Sequence, residues 1–193
     1  CDGPNIKEKG RDRTEAEDEQ LDVAVELARM IRGFPKIYVV DGSPYHNGNG
    51  DLDNRFAEKV GAVKDERTNR YARHVIDLLK IRDVKFNLAH AITASTTSWQ
   101  YRTTPLGIKT VLIKLNNINC DILIRGHAHY FCHVGFPGIL SVITPCWQTL
   151  TPYMARRTPE NKPQIGTVKF IIDGDRYDWD AWVQTQKIHT EIA

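Results

Sequence analysis

The sequence lacks any apolar run close to the roughly 20 residues that a membrane-spanning helix requires. Its opening stretch, CDGPNIKEKGRDRTEAEDEQ, is polar and charged and has none of the apolar core of a secretory leader. An excess of one charge is missing too. With 26 Lys and Arg against 24 Asp and Glu the net charge is +2, which excludes bulk attraction to nucleic acid or an anionic membrane but not a local basic patch. Cysteine is scarce: Cys1, Cys120, Cys132 and Cys146 form no CxxC pair and no disulfide-framework spacing, so reduced thiols and a cytoplasmic setting are expected. Four cysteines still leave pairing open. Internal repeats, low-complexity tracts and dividing linkers are absent, and residues 1–193 are expected to form a single domain. The chain also starts on Cys rather than Met, as expected of a processed product or a fragment.

What remains is an ordinary globular composition. Apolar residues make up 41% and charged residues 26% of 193 positions, enough to bury a sizeable core. Residues 1–13 read as a loop broken by Gly3, Pro4 and Gly10. From Thr14 the pattern turns helical: Thr14 and Glu17 form a capping box, Leu21, Val25 and Ala28 recur at helical spacing, and Gly33 supplies the stop. A helix is predicted over about 14–32. KIYVV (36–40) reads as a strand feeding the loop DGSPYHNGNGD, followed by a modest helix in LDNRFAEKVGA. RHVIDLLKIRDVKFNLAHA reads as two strands turning near Arg82 and Asp83, and TPLGIKTVLIKLNNIN as a helix. CDILIRG and GILSVITP are strands of the buried type, and GTVKFIIDGDRYDWDAWV is a hairpin with an Asp-Gly turn. This order of elements predicts an α/β architecture. His-bearing loops follow three of the strands, and in such folds ligand sites gather beyond strand ends.

Each histidine has a bland alternative. His127 and His129, in RGHAHYF, are spaced i, i+2; in extended backbone both imidazoles face the same way and can reach one centre or two adjacent ones. Gly126 permits close approach or positive φ. The same pair also fits a solvated polar loop, or a structural zinc site completed by Cys132 and a fourth ligand. His90 ends VKFNLAH and alone reads as a core-edge histidine bonded to a carbonyl. His46 lies in a glycine-rich loop with exposed backbone N–H groups. His74, His133 and His189 have no supporting context and are expected to be structural or solvated. Cys1 as an N-terminal nucleophile has no identifiable activating base nearby.

Taken together, YVVDGSPYHNG, VKFNLAHA and DILIRGHAHYF resemble the later motifs of calcineurin-like metallophosphoesterases. That family orders its site as DxH, GD, GNH[DE], a lone His, then GHxH. GHAH (126–129) matches the last motif in full, His90 looks like the lone His, and DGSPYH (41–46) takes the place of GNH[DE] after a strand. The glycine-bearing loop around His46 and the closing TPCWQTLTPY look most like a phage and prokaryotic branch. Two departures stand out. No DxH and no GD occur upstream of residue 36, and CDGPN looks like the stretch that follows GD, as if the chain were the C-terminal portion of a longer protein. Ser43 also replaces the expected Asn, with His46 three residues on.

The resemblance implies a layered α-β-β-α sandwich, N-terminally truncated here, and a dinuclear site. His46, His90, His127 and His129 would be ligands to two divalent ions (Mn, Fe, Zn or Ni), with His46 alternatively the acid on the leaving group. Two metals about 3.5–4 Å apart lower the pKa of a bridging water, and the hydroxide attacks phosphorus in line. The implied function is hydrolysis of phosphomonoesters or phosphodiesters in the intact parent protein. The alternative is a degenerate, non-catalytic binding module of the same fold. Arg125 and Trp147 are the expected substrate contacts, with Arg102, Lys109, Arg156, Arg157 and Tyr153 as further candidates. The expected partner is a phosphoester, a nucleotide or nucleic acid among the options.

Overall fold

A computed structural model describes residues 17–31, 33, 36–43, 51–91, 103–149 and 162–185. The chain gathers into two compact units, residues 1–76 with 89–91, and residues 77–88 with 92–193.

The first unit begins with helix α1 (Glu17–Met30), which buries Leu21 and Val25 against Leu52, Phe56 and Val60. The capping box at Thr14 lies outside the described residues. Gly33, at φ +94°, adopts a conformation an L side chain resists, as expected just past a helix end. Strand β1 (Val39–Val40) leads to helix α2 (Asp51–Lys59) and then strand β2 (Ala72–Arg73). Asp18 and Asp22 of α1 pair with Arg55 and Lys59 of α2, one turn apart on each helix. The Lys59 ammonium, by hydrogen bond and charge, holds the Asp22 carboxyl below the usual range.

β1 and β2 pair in parallel, Val39 opposite Ala72 and Val40 opposite Arg73. Ala57 and Ala62 pack in one buried cluster with Ala72 of β2, small enough for α2 to lie close to the strands. The Asn54 side chain of α2 accepts from the backbone N–H groups of Tyr71 and Ala72 and so locks the start of β2.

The second unit is built on a five-stranded sheet in the order β3-β4-β5-β7-β6. β3 (Val75–Ile81) and β4 (Val84–Ala89) form the expected pair, turned at Arg82, whose φ is +51°. Helix α3 (Thr104–Leu115) carries Pro105 in its first turn, where the missing N–H costs nothing. Strands β5 (Ile122–Arg125) and β7 (Ile139–Ile143) run parallel, while β6 (Cys132–Phe136) is antiparallel to β7.

Alternation along β5 decides the layering. Leu123 joins Ile113, Cys120 and Ile139 beneath α3, whereas Ile122 faces the opposite way and meets Val84 and Phe86. On that second side Phe170, Ile172 and Tyr177 of the β8 (Gln164–Asp173) and β9 (Arg176–Thr185) hairpin complete the core. The unit is therefore helix on sheet on ribbon. The hairpin's two-residue turn is Gly174-Asp175, one position later than the expected Asp-Gly, with Gly174 at φ +62°.

The α/β class read from the sequence stands, with a mixed central sheet. β2 and β6 went unread because β2 is two residues long and β6, CHVGF, carries no alternating apolar pattern. Cys120, Cys132 and Cys146 are free thiols. Among the described residues no helix is long and apolar enough to cross a membrane.

Candidate functional site

In the first unit, side chains collect where β1 and β2 end together. Asp41 and His74 are the next residues past the last register pair, and the Asp41 N–H still donates to the Arg73 carbonyl at 3.0 Å. Asp41 is only 3% exposed, and its Oδ1 lies 2.9 Å from Nδ1 of His74. Its other oxygen, Oδ2, is buried, makes no hydrogen bond, and faces the Arg70 guanidinium at 3.7 Å. Arg70 is delivered by the turn after α2, where Asp65 bridges back to Arg70 and accepts the N–H of Arg67. That backbone hydrogen bond holds the Asp65 carboxyl below its usual range, aided by the Arg67 and Arg73 guanidinium groups and opposed by burial.

The next residue, Gly42, donates its N–H to Oδ2 of Asp53 in the first turn of α2 at 2.6 Å. A side chain at position 42 would meet that oxygen at 3.2 Å and Cε1 of His90 at 4.0 Å. His90 therefore lies against the same strand end, in the same unit. His90 is half-buried. His46 lies outside the described residues.

In the second unit, GHAH follows β5 directly. The expected extended backbone is not what forms: His127 has φ +70° and His129 φ +57°, both left-handed. The positive φ in this loop falls on the two histidines and not on Gly126, with the Ala128 N–H turned back onto the Gly126 carbonyl at 2.9 Å. Non-glycine residues in this region are uncommon and concentrate at functional sites. The His129 carbonyl is fixed by the N–H of Gln164, and the Gln164 side chain accepts from Phe131 at 2.6 Å. Tyr130 plugs the loop into the core beside Leu106 and Ile143.

Arg125, expected at the substrate, is 3% exposed and turned inward. Its Nη2 donates to Oδ1 of Asn87 at 2.8 Å, and its Nη1 to the carbonyls of Ile124 at 2.7 Å and Asn87 at 3.3 Å. Burial pushes this guanidinium down to about 10. These are the contacts of a strut between β4 and β5. Trp147 sits beyond the end of β7, 67% exposed, with its ring stacked on Trp182 at 6.4 Å between centroids. Tyr153, Arg102, Arg156 and Arg157 lie outside the described residues.

Among the described residues no group of three or more His, Cys, Asp or Glu side chains is placed to hold a metal ion, and this covers the zinc set that would include Cys132. The described donors alone therefore do not make up the two-metal set that the resemblance implies.

Sequence reading passed over Asp41 and His74. Asp41 had a legible signal, an Asp-Gly step straight after an apolar strand; His74 had none, because only the strand register brings it to Asp41.

No protein-family model matches the chain, and no curated protein sequence matches it. Similar solved structures include Vps29 from Entamoeba histolytica complexed with zinc, 14% identical over 77% of this chain and 68% of that one at a TM-score of 0.43. An archaeal phosphodiesterase is 15% identical over 85% and 76% at 0.49. Vps29 from Cryptosporidium parvum is 16% identical over 94% of each chain at 0.43.

Proposed function

We propose that the chain is that of a metal-dependent phosphoesterase of the calcineurin-like kind, hydrolysing phosphomonoesters or phosphodiesters. The observation that carries the reading is the GHAH loop. It closes a buried parallel strand, the placement at which α/β folds bind ligands, and both of its histidines hold left-handed backbone, two in one four-residue loop. His127, His129, His90 and His46 are the proposed ligands. Bound divalent ions would supply an activated hydroxide and neutralise the phosphoryl oxygens.

The chain's own residues have separate tasks. The Arg125–Asn87 strut holds the end of β5 rigid beneath the histidine loop, and the Gln164 contacts fix that loop from the side. The exposed Trp147–Trp182 stack presents an aromatic face of the kind on which a nucleobase rests, so a nucleotide or nucleic-acid phosphoester is the proposed substrate class.

The test is hydrolysis of bis-p-nitrophenyl phosphate by the chain supplied with Mn²⁺, compared with His127→Ala. The wild type is expected to be at least ~100-fold faster, since even the outer partners of metal ligands are worth ~10–100-fold. Equal rates in the two proteins would leave a non-catalytic module of this fold as the better reading.

A further inference from the structure

The structure assigns the outward face of helix α3 as a docking surface for a second copy of this chain, paired antiparallel about a two-fold axis. The inference is independent of the phosphoesterase reading. Helix α3 is apolar on both sides. Inward it buries Leu106 and Ile113. Outward, Ile108 (53% exposed), Val111 (45%), Leu112 (44%) and Leu115 (72%) recur at i, i+3, i+4 and i+7, and so share one line along the helix. A helix that is apolar all round belongs in a buried place rather than at a surface. The four side chains present on the order of 400 Å² of apolar surface, the size of patch that marks an interaction site. Helix α1 shows the contrast. It also exposes Val23, Leu27 and Met30, but the exposed Glu19 and Glu26 fall on the same line, as on a solvated face.

The stripe itself selects a second copy as its occupant. Helix α3 contains no acidic residue, and its two charges, Lys109 and Lys114, stand on opposite flanks, roughly 110° to either side of the stripe's midline. Lys114 is drawn further aside by donating to the Gly138 carbonyl at 3.2 Å. No charge on the line calls for a complementary one. The line is also matched to its own reverse, with Ile108 and Leu115 at its ends and Val111 and Leu112 at its centre. Antiparallel copies crossing between 111 and 112 set Ile108 against Leu115 of the second copy, and Val111 against its Leu112. Each β-branched side chain then meets a leucine, and the contact closes on itself at two chains. Lys109 and the second copy's Lys114 come to one level but on opposite flanks, so the like charges stay apart.

A stable pair buries about 800 Å² on each side, of which the stripe supplies about half. The lysine stems and the helix flanks supply further contact, which sets a reversible, micromolar pairing rather than a permanent one. On its inner face the same helix carries Leu106 against Tyr130, the residue after the second histidine of GHAH. Pairing at α3 therefore stiffens the helix on which the histidine loop rests.

The test is sedimentation of the whole chain over ~1–100 μM, across which wild type is expected to pass from monomer to dimer. Ile108→Glu and Leu115→Lys each place one charge per copy in the apolar seam and should weaken pairing ~100-fold or more. The double variant carrying both should regain most of the loss, because antiparallel copies bring each glutamate onto a lysine of the other chain. Parallel copies would not. A wild type that stays monomeric at ~100 μM, or one that grows beyond the dimer, overturns the proposal. So do single variants that pair as wild type does, or a double variant as weak as the singles. Because both positions are exposed, the single variants should keep the wild-type circular dichroism. If Ile108→Glu loses helix signal, Val111→Glu with Leu112→Lys reads the same pairing at the two-fold axis.

Discussion

The two parallel strand pairs of this chain end in different ways. β5 and β7 lie inside a five-stranded sheet, and β7 is buried along its whole length. β1 and β2 form a pair of two residues each, with Ala72 of β2 packed on Ala57 and Ala62. At the end of β5 the chemistry is announced by sequence, GHAH, and the structure answers with backbone: two left-handed histidines braced by Gln164 and a buried arginine. At the end of β1 the sequence announces little, and the structure answers with side chains, Asp41 on His74 and Gly42 on Asp53. A large sheet can hold a strained loop because the strands beneath it are fixed from both faces. A two-residue pair cannot, and there the site depends on hydrogen bonds between side chains.

That contrast can be broken by substitution, most severely at the second strand end. Asn87→Ala removes the acceptor of the buried Arg125 guanidinium and leaves its charge less satisfied. A loss of ~2–3 kcal/mol is expected in urea unfolding followed by tryptophan fluorescence. All four tryptophans fall within the sequence of the second unit, so the signal reports that unit. Arg125→Met in the same background should recover part of the loss. An unchanged midpoint in Asn87→Ala would mean that the strut is not what stiffens β5.

A smaller effect is expected at the first strand end. Gly42→Ala places a methyl group 3.2 Å from Oδ2 of Asp53, a contact that requires the carboxylate to shift by a few tenths of an ångström. Because a side-chain end can move, the cost should be ~1 kcal/mol, seen as faster hydrogen exchange in α2 and β2. Unchanged exchange would argue that Gly42 and Asp53 do not brace the site.

The mildest test is acid. The Arg67 N–H, with the guanidinium groups of Arg67 and Arg73, lowers the Asp65 carboxyl in the folded chain relative to the unfolded one. Its stabilising effect is therefore full above the ordinary carboxylate range and is lost as pH falls through the lower folded value. Asp65→Asn should flatten that part of the acid-unfolding curve of the first unit. It should also loosen the turn that delivers Arg70 to Asp41. An identical acid profile in wild type and variant would remove Asp65 from this account.

Much of the fold was legible in the residues. The helix at 17–30, the turn at Arg82–Asp83, the buried strands ILIR and ILSVI and the closing hairpin all follow from apolar periodicity and turn chemistry, which are local properties. The site was legible only in part. GHAH and His90 carry a motif, but the expectation that i, i+2 spacing in extended backbone aligns the two imidazoles did not hold, because the loop leaves β5 in left-handed conformation. Arg125 looked like a phosphate contact because arginine beside a histidine motif usually points outward. Its direction was decided by strand alternation and by the Asn87 side chain 38 residues away.

The sequence by itself determined which segments are helix, strand and turn, since each rests on neighbours a few residues apart. It also determined that imidazoles crowd the strand ends. Only the tertiary structure decided which charged groups meet. Asp41 and His74 are 33 residues apart, and nothing in their local sequence favours one partner over another. Their contact exists because β1 and β2 pair in parallel at one register, and a slip of one residue would turn His74 to the other face.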